Sequence, residues 1–556
     1  MNKKFYLLFL VLVMSAVIAA CSDDSNVEEM TGEEGGSGTG DLTIGMMDEL
    51  VTLDLHGSND SASGQVRTNI YESLIDSDVN MELGPGLADE WEQTEDTVWN
   101  FKLREDTLFH SGEDFTAEDV KATLDRVRDP AVASTVAFLF EMIEDVEVVG
   151  DYEVNMHTEY PFAPLPSHLA HGTAGIMSKE IIDRDYQTAL DEAGVDMTAD
   201  EYYELRETDG EEYEEIVDQI SEYTGQVLGS ETDGTNHLQL ESRNAGDSVE
   251  LSKFEDFRGG DRNFETVTFR VIPESGARLA ELESGGIQIA TDVDSSNAER
   301  VSNGAETSLV ERESVRMTYL GMNTEHEPFD DERVRQAIAH AVDTEAIISG
   351  VYDDMGIQAK GPLAPDVWGY NEELEGTEYD IDRAKELLSE TDVADGFDTT
   401  LWINDDQQIV DTAVYIQEAL AELNINVSIE QFEWAAYLET LAEGNHDMYI
   451  SGWTTVTADA DYGLYALFHP DSIGGTGNRM WYDNPEVGEL LDAGRTATDE
   501  DARYDIYTEV QEILNDEAPI VPIFHTNFAI GVNDSLVDGV EVDPTGSLEI
   551  DNIEFK

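Results

Sequence analysis

The sequence predicts an α/β protein, and three observations carry that expectation. Between 399 and 453 the pattern runs strand, helix, strand, helix, strand, which argues for a parallel or mixed sheet. At 98–127 a half-buried strand precedes a capped helix. Hydrophobic residues make up 40% of 556, enough to bury sizeable cores in two to four domains.

Each element follows from its spacing. Leu42, Ile44 and Met46 alternate as an opening strand, and Val66, Ile70 and Leu74 fall at helical steps over 66–75. Trp99, Phe101 and Leu103 alternate; Ser111-Gly112 is a turn; Thr116 with Asp119 three residues on starts a helix running to about Val127. Residues 182–232 are acid-rich and dotted with tyrosine, and they read as helix with polar connections. Val267, Phe269 and Val271 form a strand, and Ala277 to Leu282 a helix stopped by Gly285-Gly286. Val334, Ala337, Ile338, Ala341 and Val342 mark an amphipathic helix. Leu401-Ile403, the 410–423 helix, Ile425-Val427-Ile429, the 434–441 helix and Met448-Ile450 make the α/β lobe. Ile506 to Leu514 is a helix and Ile520 to Phe524 a strand.

Charge and cysteine use exclude several functions. There are 123 Asp+Glu against 29 Lys+Arg, a formal charge of −94. Nucleic-acid binding needs clustered cations and is excluded as a partner. The acids are dispersed, which reads as a solvated surface adapted to high salt, since salt screens self-repulsion. Cys21 is the one cysteine, so no internal disulfide or cysteine-based metal cluster is expected.

Residues 1–20 read as a signal peptide: Lys3 and Lys4, an apolar run from Phe5 to Ile18, then Ala19 and Ala20. The run is short for a span of about 20 residues. Ile18-Ala19-Ala20-Cys21 resembles a bacterial lipobox, which implies cleavage before Cys21 and a membrane anchor through its lipid. Residues 21–40 are an acidic, Gly/Ser-rich tether of roughly 25 Å.

The segment "LADEWEQTEDTVWNFKLREDTLFHSGEDFTAEDVKATLDRV" at 87–127 resembles the signature region of family 5 solute-binding lipoproteins. Further similarity follows in family order at 320–343, 379–388, 446–454 and 503–524. "WTTVTADADYGLYALF" at 453–468, "MWYDNPEVGELLDAG" at 480–494 and "PFAPLPSHLAH" at 161–171 look most like the glutathione-binding type. The resemblance implies a two-lobed periplasmic-binding-protein-like fold of type II with a hinge. Lobe I is expected at 41–292, with a subdomain near 76–180 and the acidic segment at 182–232. Lobe II is expected at 293–504, and 505–556 returns to lobe I. It further implies capture of a peptide-like solute, delivery to an ABC permease and ATPase, a monomer, and no cofactor.

Two departures bear on the cargo. Gly234-Thr235-Asn236-His237 stands where the family usually has Gly-Thr-Gly-Pro-aromatic. Val456 stands where peptide-binding members place the Asp that holds the α-amine, with acids later at Asp459 and Asp461.

The strand ending at Gly452-Trp453 makes 452–461 the prime site, because ligands bind beyond the carboxyl ends of strands in open α/β sheets. Asp459 and Asp461 are candidates for an amine, and Arg67 for a carboxylate clamp. Trp453, Trp434 and Tyr437 are candidates to pack apolar parts, with Thr454 beside Trp453 and Asn59 on a lobe I loop within reach of the cleft; for Trp434 a place in the core is at least as good a reading. In so acidic a chain any one Asp is more often plain surface. His168 and His171 are spaced for a metal but lack a third ligand and read as structural, as do Arg333 and Arg335. A nickel- or other-solute-binding member, or a tethered receptor, is the alternative. No G-x-S-x-G, H-E-x-x-H or usable Cys nucleophile is present, so no catalytic residues are expected.

Overall fold

Strand Gly40–Met46 pairs in parallel with Phe264–Val271, with Leu42 opposite Val267 and Ile44 opposite Phe269. These belong to a computed structural model that describes residues 40–208, 210–260, 262–432, 434–474 and 477–556. The leader, Cys21 and the tether to residue 39 lie outside the described residues, as does the Trp434 side chain.

An eleven-stranded sheet organises the chain. One end carries Asn426–Gln431, Asp398–Ile403 and Met448–Thr454. The other carries Ile289–Ala290, Gly40–Met46, Phe264–Val271, Ser248–Lys253 and Leu238–Asn244. Between them run two long antiparallel strands, Thr307–Met322 and Ile520–Asn533, whose register breaks between Glu313 and Met317. The break falls between two hydrophobic cores. Leu42, Ile44, Val267 and Phe269 sit in the lobe I core, and Leu401, Ile403, Ile416 and Ile450 in a lobe II core. The second face of the lobe II sheet is covered by Leu464, Tyr507 and Leu514.

A separate four-stranded antiparallel sheet orders as Ala88–Glu95, Val98–Leu103, Glu153–Thr158, Ile143–Gly150. It packs Trp99, Phe101 and Leu103 against Val120 and Leu124. Those last two lie on helix Ala117–Arg128, where the Thr116 backbone N–H donates to Asp119 at 2.9 Å.

One expected helix is displaced. Residues 66–75 are not helical throughout; the helix is Ser61–Arg67. Asp60 caps it, accepting from the Ser63 N–H at 2.8 Å, and this starts the helix earlier than the apolar spacing indicates. Ile70 and Leu74 are buried from turns instead. The 234–237 turn keeps its glycine for a steric reason: a Cβ on Gly234 would collide with the Ile70 carbonyl.

The acid-rich segment is three helices, Lys179–Ala193, Ala199–Arg206 and Glu211–Ile220. They converge on one buried carboxylate. Asp129 accepts from the phenols of Tyr186 at 2.8 Å, Tyr202 at 3.0 Å and Tyr213 at 3.1 Å. Beside this group, Arg126 donates to Asp54 at 2.9 and 2.7 Å and lies 3.4 Å from Asp185. The tyrosines scattered along the segment are thus its anchors. No helix among the described residues is long and apolar enough to cross a membrane.

Candidate functional site

At the carboxyl end of strand Met448–Thr454 a cavity of about 300 Å³ opens between the subdomain and lobe II. The subdomain contributes Phe138, Met142, Tyr160 and His168, and lobe II contributes Trp453, Tyr462 and Tyr465. Trp453 and Tyr462 have ring centroids 5.5 Å apart, and Phe138 lies 6.2 Å from Tyr462 across the gap. Such aromatic walls pack an apolar group and leave polar edges for orientation.

Two polar atoms at this cavity have no partner. The His168 Nδ1 lies 2.8 Å from the Leu139 carbonyl, which only accepts, so Nδ1 carries the proton and Nε2 is a bare acceptor. Burial lowers the His168 pKa and favours this neutral form. Its Nε2 is buried without a hydrogen bond, and so is the Trp453 indole N–H. A buried donor and acceptor left open are costly unless a ligand or water meets them.

The acids are arranged differently from the expectation. Asp461 is wholly buried and receives Arg495 at 3.1 and 2.9 Å, with the Tyr507 phenol at 3.1 Å. Burial raises its pKa, but Arg495 outweighs burial and holds the carboxyl below its usual range. Arg495 also lies over the Tyr465 ring at 3.3 Å from the centroid. Asp459 caps helix Ala460–Phe468 and receives Arg503 at 2.8 and 2.5 Å. Asp461 lines the cavity as half of an ion pair; Asp459 does not line it. Neither stands open to receive an amine.

Arg67 is corrected to a positioning role. Its guanidinium donates to the carbonyls of Asp54 at 2.8 Å and Ser58 at 3.1 Å, fixing the loop before Asp60. Tyr437 is core rather than cleft: it is fully buried and donates to the Ile450 carbonyl at 2.5 Å. Asn59 is exposed and does not line the cavity. Thr454 pairs with Arg316 across the strands. Trp434 opens helix Trp434–Ala442, and nothing is described of its ring.

Sequence reasoning missed Tyr462, Tyr465, Phe138 and Arg495. Tyr462 and Tyr465 at i, i+3 behind an Asp cap were the available signal for two of them. His171 accepts from the Thr173 N–H at 3.2 Å, in keeping with a structural role. Among the described residues no group of three or more His, Cys, Asp or Glu is placed to hold a metal.

Two lobes bridged by two strands, with an aromatic cavity between, define a binding protein of the solute-capturing class. The family model "Bacterial extracellular solute-binding proteins, family 5 Middle" matches residues 82–475, and the chain belongs to that family. The chain is 27% identical over 512 residues to the dipeptide-binding protein of Escherichia coli K12, covering 88% of this chain and 89% of that protein. It is 26% identical over 525 residues to the glutathione-binding protein GsiB of Salmonella typhimurium, covering 93% and 94%. Among solved structures, HbpA2 from Haemophilus parasuis aligns with a TM-score of 0.79 at 25% identity, covering 93% of this chain and 100% of that one. These relatives are binding proteins, and the chain is not an enzyme.

Proposed function

We propose that the chain captures a peptide-like solute, glutathione or a short peptide, between its lobes and delivers it to a membrane permease of the ABC class. It acts as a monomer held outside the membrane by lipid on Cys21. The observation that carries this reading is the aromatic cavity at the end of strand Met448–Thr454, walled by Trp453, Tyr462 and Phe138. Of the acids that line the cavity, Asp461 is taken by Arg495, while Glu141 has no arginine upon it and is our choice for a ligand amine. In this reading the chain crosses between lobes at 313–317 and returns near 525, in place of the boundaries at 293 and 505. Two packings support that: Val301 packs with Leu279 and Leu282, and Tyr507 and Leu514 pack with Leu464. Closure upon the solute then works by differential affinity for the closed form.

Calorimetric titration of the mature chain in molar NaCl is the test. The titrants are reduced and oxidised glutathione, a di- and tripeptide pool, and Ni²⁺ with and without histidine. Binding of glutathione or peptide is expected, and binding of only the nickel–histidine pair would overturn the reading. Trp453→Ala should weaken the bound solute by about 30-fold or more, as removal of a central aromatic anchor does.

The same reading holds the acidic surface to be an adaptation to salt. Glu549 supports it: burial, then Asp543, Asp551 and Asp76, push its carboxyl up to about 8. A folded pKa above the unfolded value, about 4.3, destabilises as pH rises between the two. The midpoint of melting should therefore rise with NaCl and, at low salt, fall as pH climbs toward 8. A midpoint flat in salt to molar concentration would overturn the adaptation.

A further inference from the structure

The long strand Thr307–Met322 loses register with Ile520–Asn533 between Glu313 and Met317. The residues at that break are not loose. Ser314 and Val315 are 2% and 1% exposed. Val315 is bonded from two sides. Its carbonyl accepts from the Thr455 N–H at 3.2 Å, just beyond strand Met448–Thr454. Its own N–H donates to the Pro544 carbonyl at 2.9 Å, so the far end of the chain reaches back to the break.

Pro544 lies in the turn of a hairpin, Glu541–Val542 against Leu548–Glu549. Asp543 ties the turn, accepting from the Thr545 and Ser547 N–H groups at 2.8 and 2.9 Å. Gly546 has a φ of 94°, and a Cβ on it would come within 2.9 Å of the Phe528 ring, so the turn sits against the second long strand as well. Gln65 ties the hairpin to helix Ser61–Arg67. It donates to the Gly546 carbonyl at 2.6 Å and accepts from the Leu548 N–H at 3.1 Å. The bond to Val315 therefore depends on how this hairpin is seated.

The seat is crowded with acids. Glu549 faces Asp543 and Glu541 within the hairpin, Asp551 just after it, and Asp76 on strand Ile75–Ser77. The nearby cations are engaged elsewhere: Arg262 with Asp551 at 2.7 Å, and Arg258 with Glu72 at 2.6 Å. His237 lies 3.5 Å from Asp551, but burial lowers its pKa to about 4 and keeps it neutral. Burial first, then the surrounding carboxylates, favour the neutral form of Glu549. Glu549 is half-buried, so salt can screen the repulsion that its ionisation creates.

We infer that hairpin 541–549 is a latch on the strand break, seated while Glu549 is protonated or its charge is screened by salt, and released when it ionises in dilute salt. Seated, it gives the Val315 N–H its acceptor and fixes the break. Released, it frees the crossing at 313–317, and bending there becomes easier as the medium turns alkaline and dilute. That the lobes bend at 313–317 rests on the solute-capture reading above.

Hydrogen–deuterium exchange of the mature chain, without solute, is the test, with rates corrected for the intrinsic effect of pH. The parent, Glu549→Gln and Asp76→Asn are compared at about pH 6.5 and about pH 9, in dilute and in molar NaCl. In dilute salt the parent should lose about 10-fold or more of its protection at 313–317 and at 541–549 on going to the higher pH, while strand Asp398–Ile403 loses less. Molar NaCl should restore that protection. Glu549→Gln should hold its protection at both pH values, and Asp76→Asn should lose less than the parent. No pH effect in the parent, an equal loss in Glu549→Gln, an equal loss along the whole chain, or a loosened 541–549 with 313–317 still protected would each overturn the latch. With no solute present, these outcomes hold whether or not the chain binds peptide, and the calorimetric titration decides that reading separately.

Discussion

Arg126→Met should cost about 3–5 kcal/mol of stability at neutral pH. The guanidinium is fully buried and holds Asp54 through two bonds of 2.9 and 2.7 Å, with Asp185 at 3.4 Å and the His56 Nδ1 at 2.9 Å. Removing it leaves two buried carboxylates without a counter-charge. The pH dependence gives the effect a signature. In the parent chain burial raises the Asp54 pKa, but Arg126 outweighs burial and leaves it lowered. A depressed carboxyl contributes stability that is present above its unfolded pKa and lost as pH falls through the folded one. In the variant burial, the largest influence on Asp54, is no longer opposed by Arg126, and the sign reverses, so acidification from pH 7 toward 5 should stabilise. In the parent chain burial and then Arg126 lower His56 to about 3, so it stays neutral there across that window. Urea denaturation at both pH values checks this, and a loss under 1 kcal/mol would show the network to be slack.

Asp459→Ala should destabilise by about 3–5 kcal/mol and change solute affinity by less than about threefold. Its carboxylate is 4% exposed, engaged by Arg503 at 2.8 and 2.5 Å, and turned away from the cavity. Arg503 in turn lies over the Trp368 ring at 4.3 Å. The double variant Asp459→Ala/Arg503→Met should be more stable than Asp459→Ala alone, since the stranded cation goes with its partner. A large fall in affinity with little loss of stability would restore Asp459 as a ligand residue.

How far the sequence could be read depends on the range of the interaction. The strand–helix alternation of 398–454 was legible because it follows from a local period, and Thr116 with Asp119 because a cap acts within one turn. The 66–75 helix failed because a cap at Asp60 outweighs an apolar spacing that turns can satisfy equally well. The site failed for a longer-range reason. Asp461 and Arg495 are 34 residues apart, and Asp459 and Arg503 44 residues apart. In a chain with acids everywhere, nothing in the order of residues says which carboxylates a scarce arginine will claim. Trp453 lines the cavity at the end of strand Met448–Thr454, a position that depends on one strand and its end alone. The lobes themselves rested on a resemblance, since local periods say nothing of which strands are shared between them.

The strand Ile520–Asn533 has a consequence for how the protein is made. Val521, Ile523 and Phe524 lie in one lobe's core, and Ile530 and Val532 in the other's. A nascent chain ending before Ile520 therefore cannot seal either core, although nearly all of its other strands are present. Domains built from contiguous segments fold one after another as they emerge, but this chain must wait for its final tenth. Until then the strand neighbours and apolar faces that Ile520–Asn533 covers in both cores are without their partner.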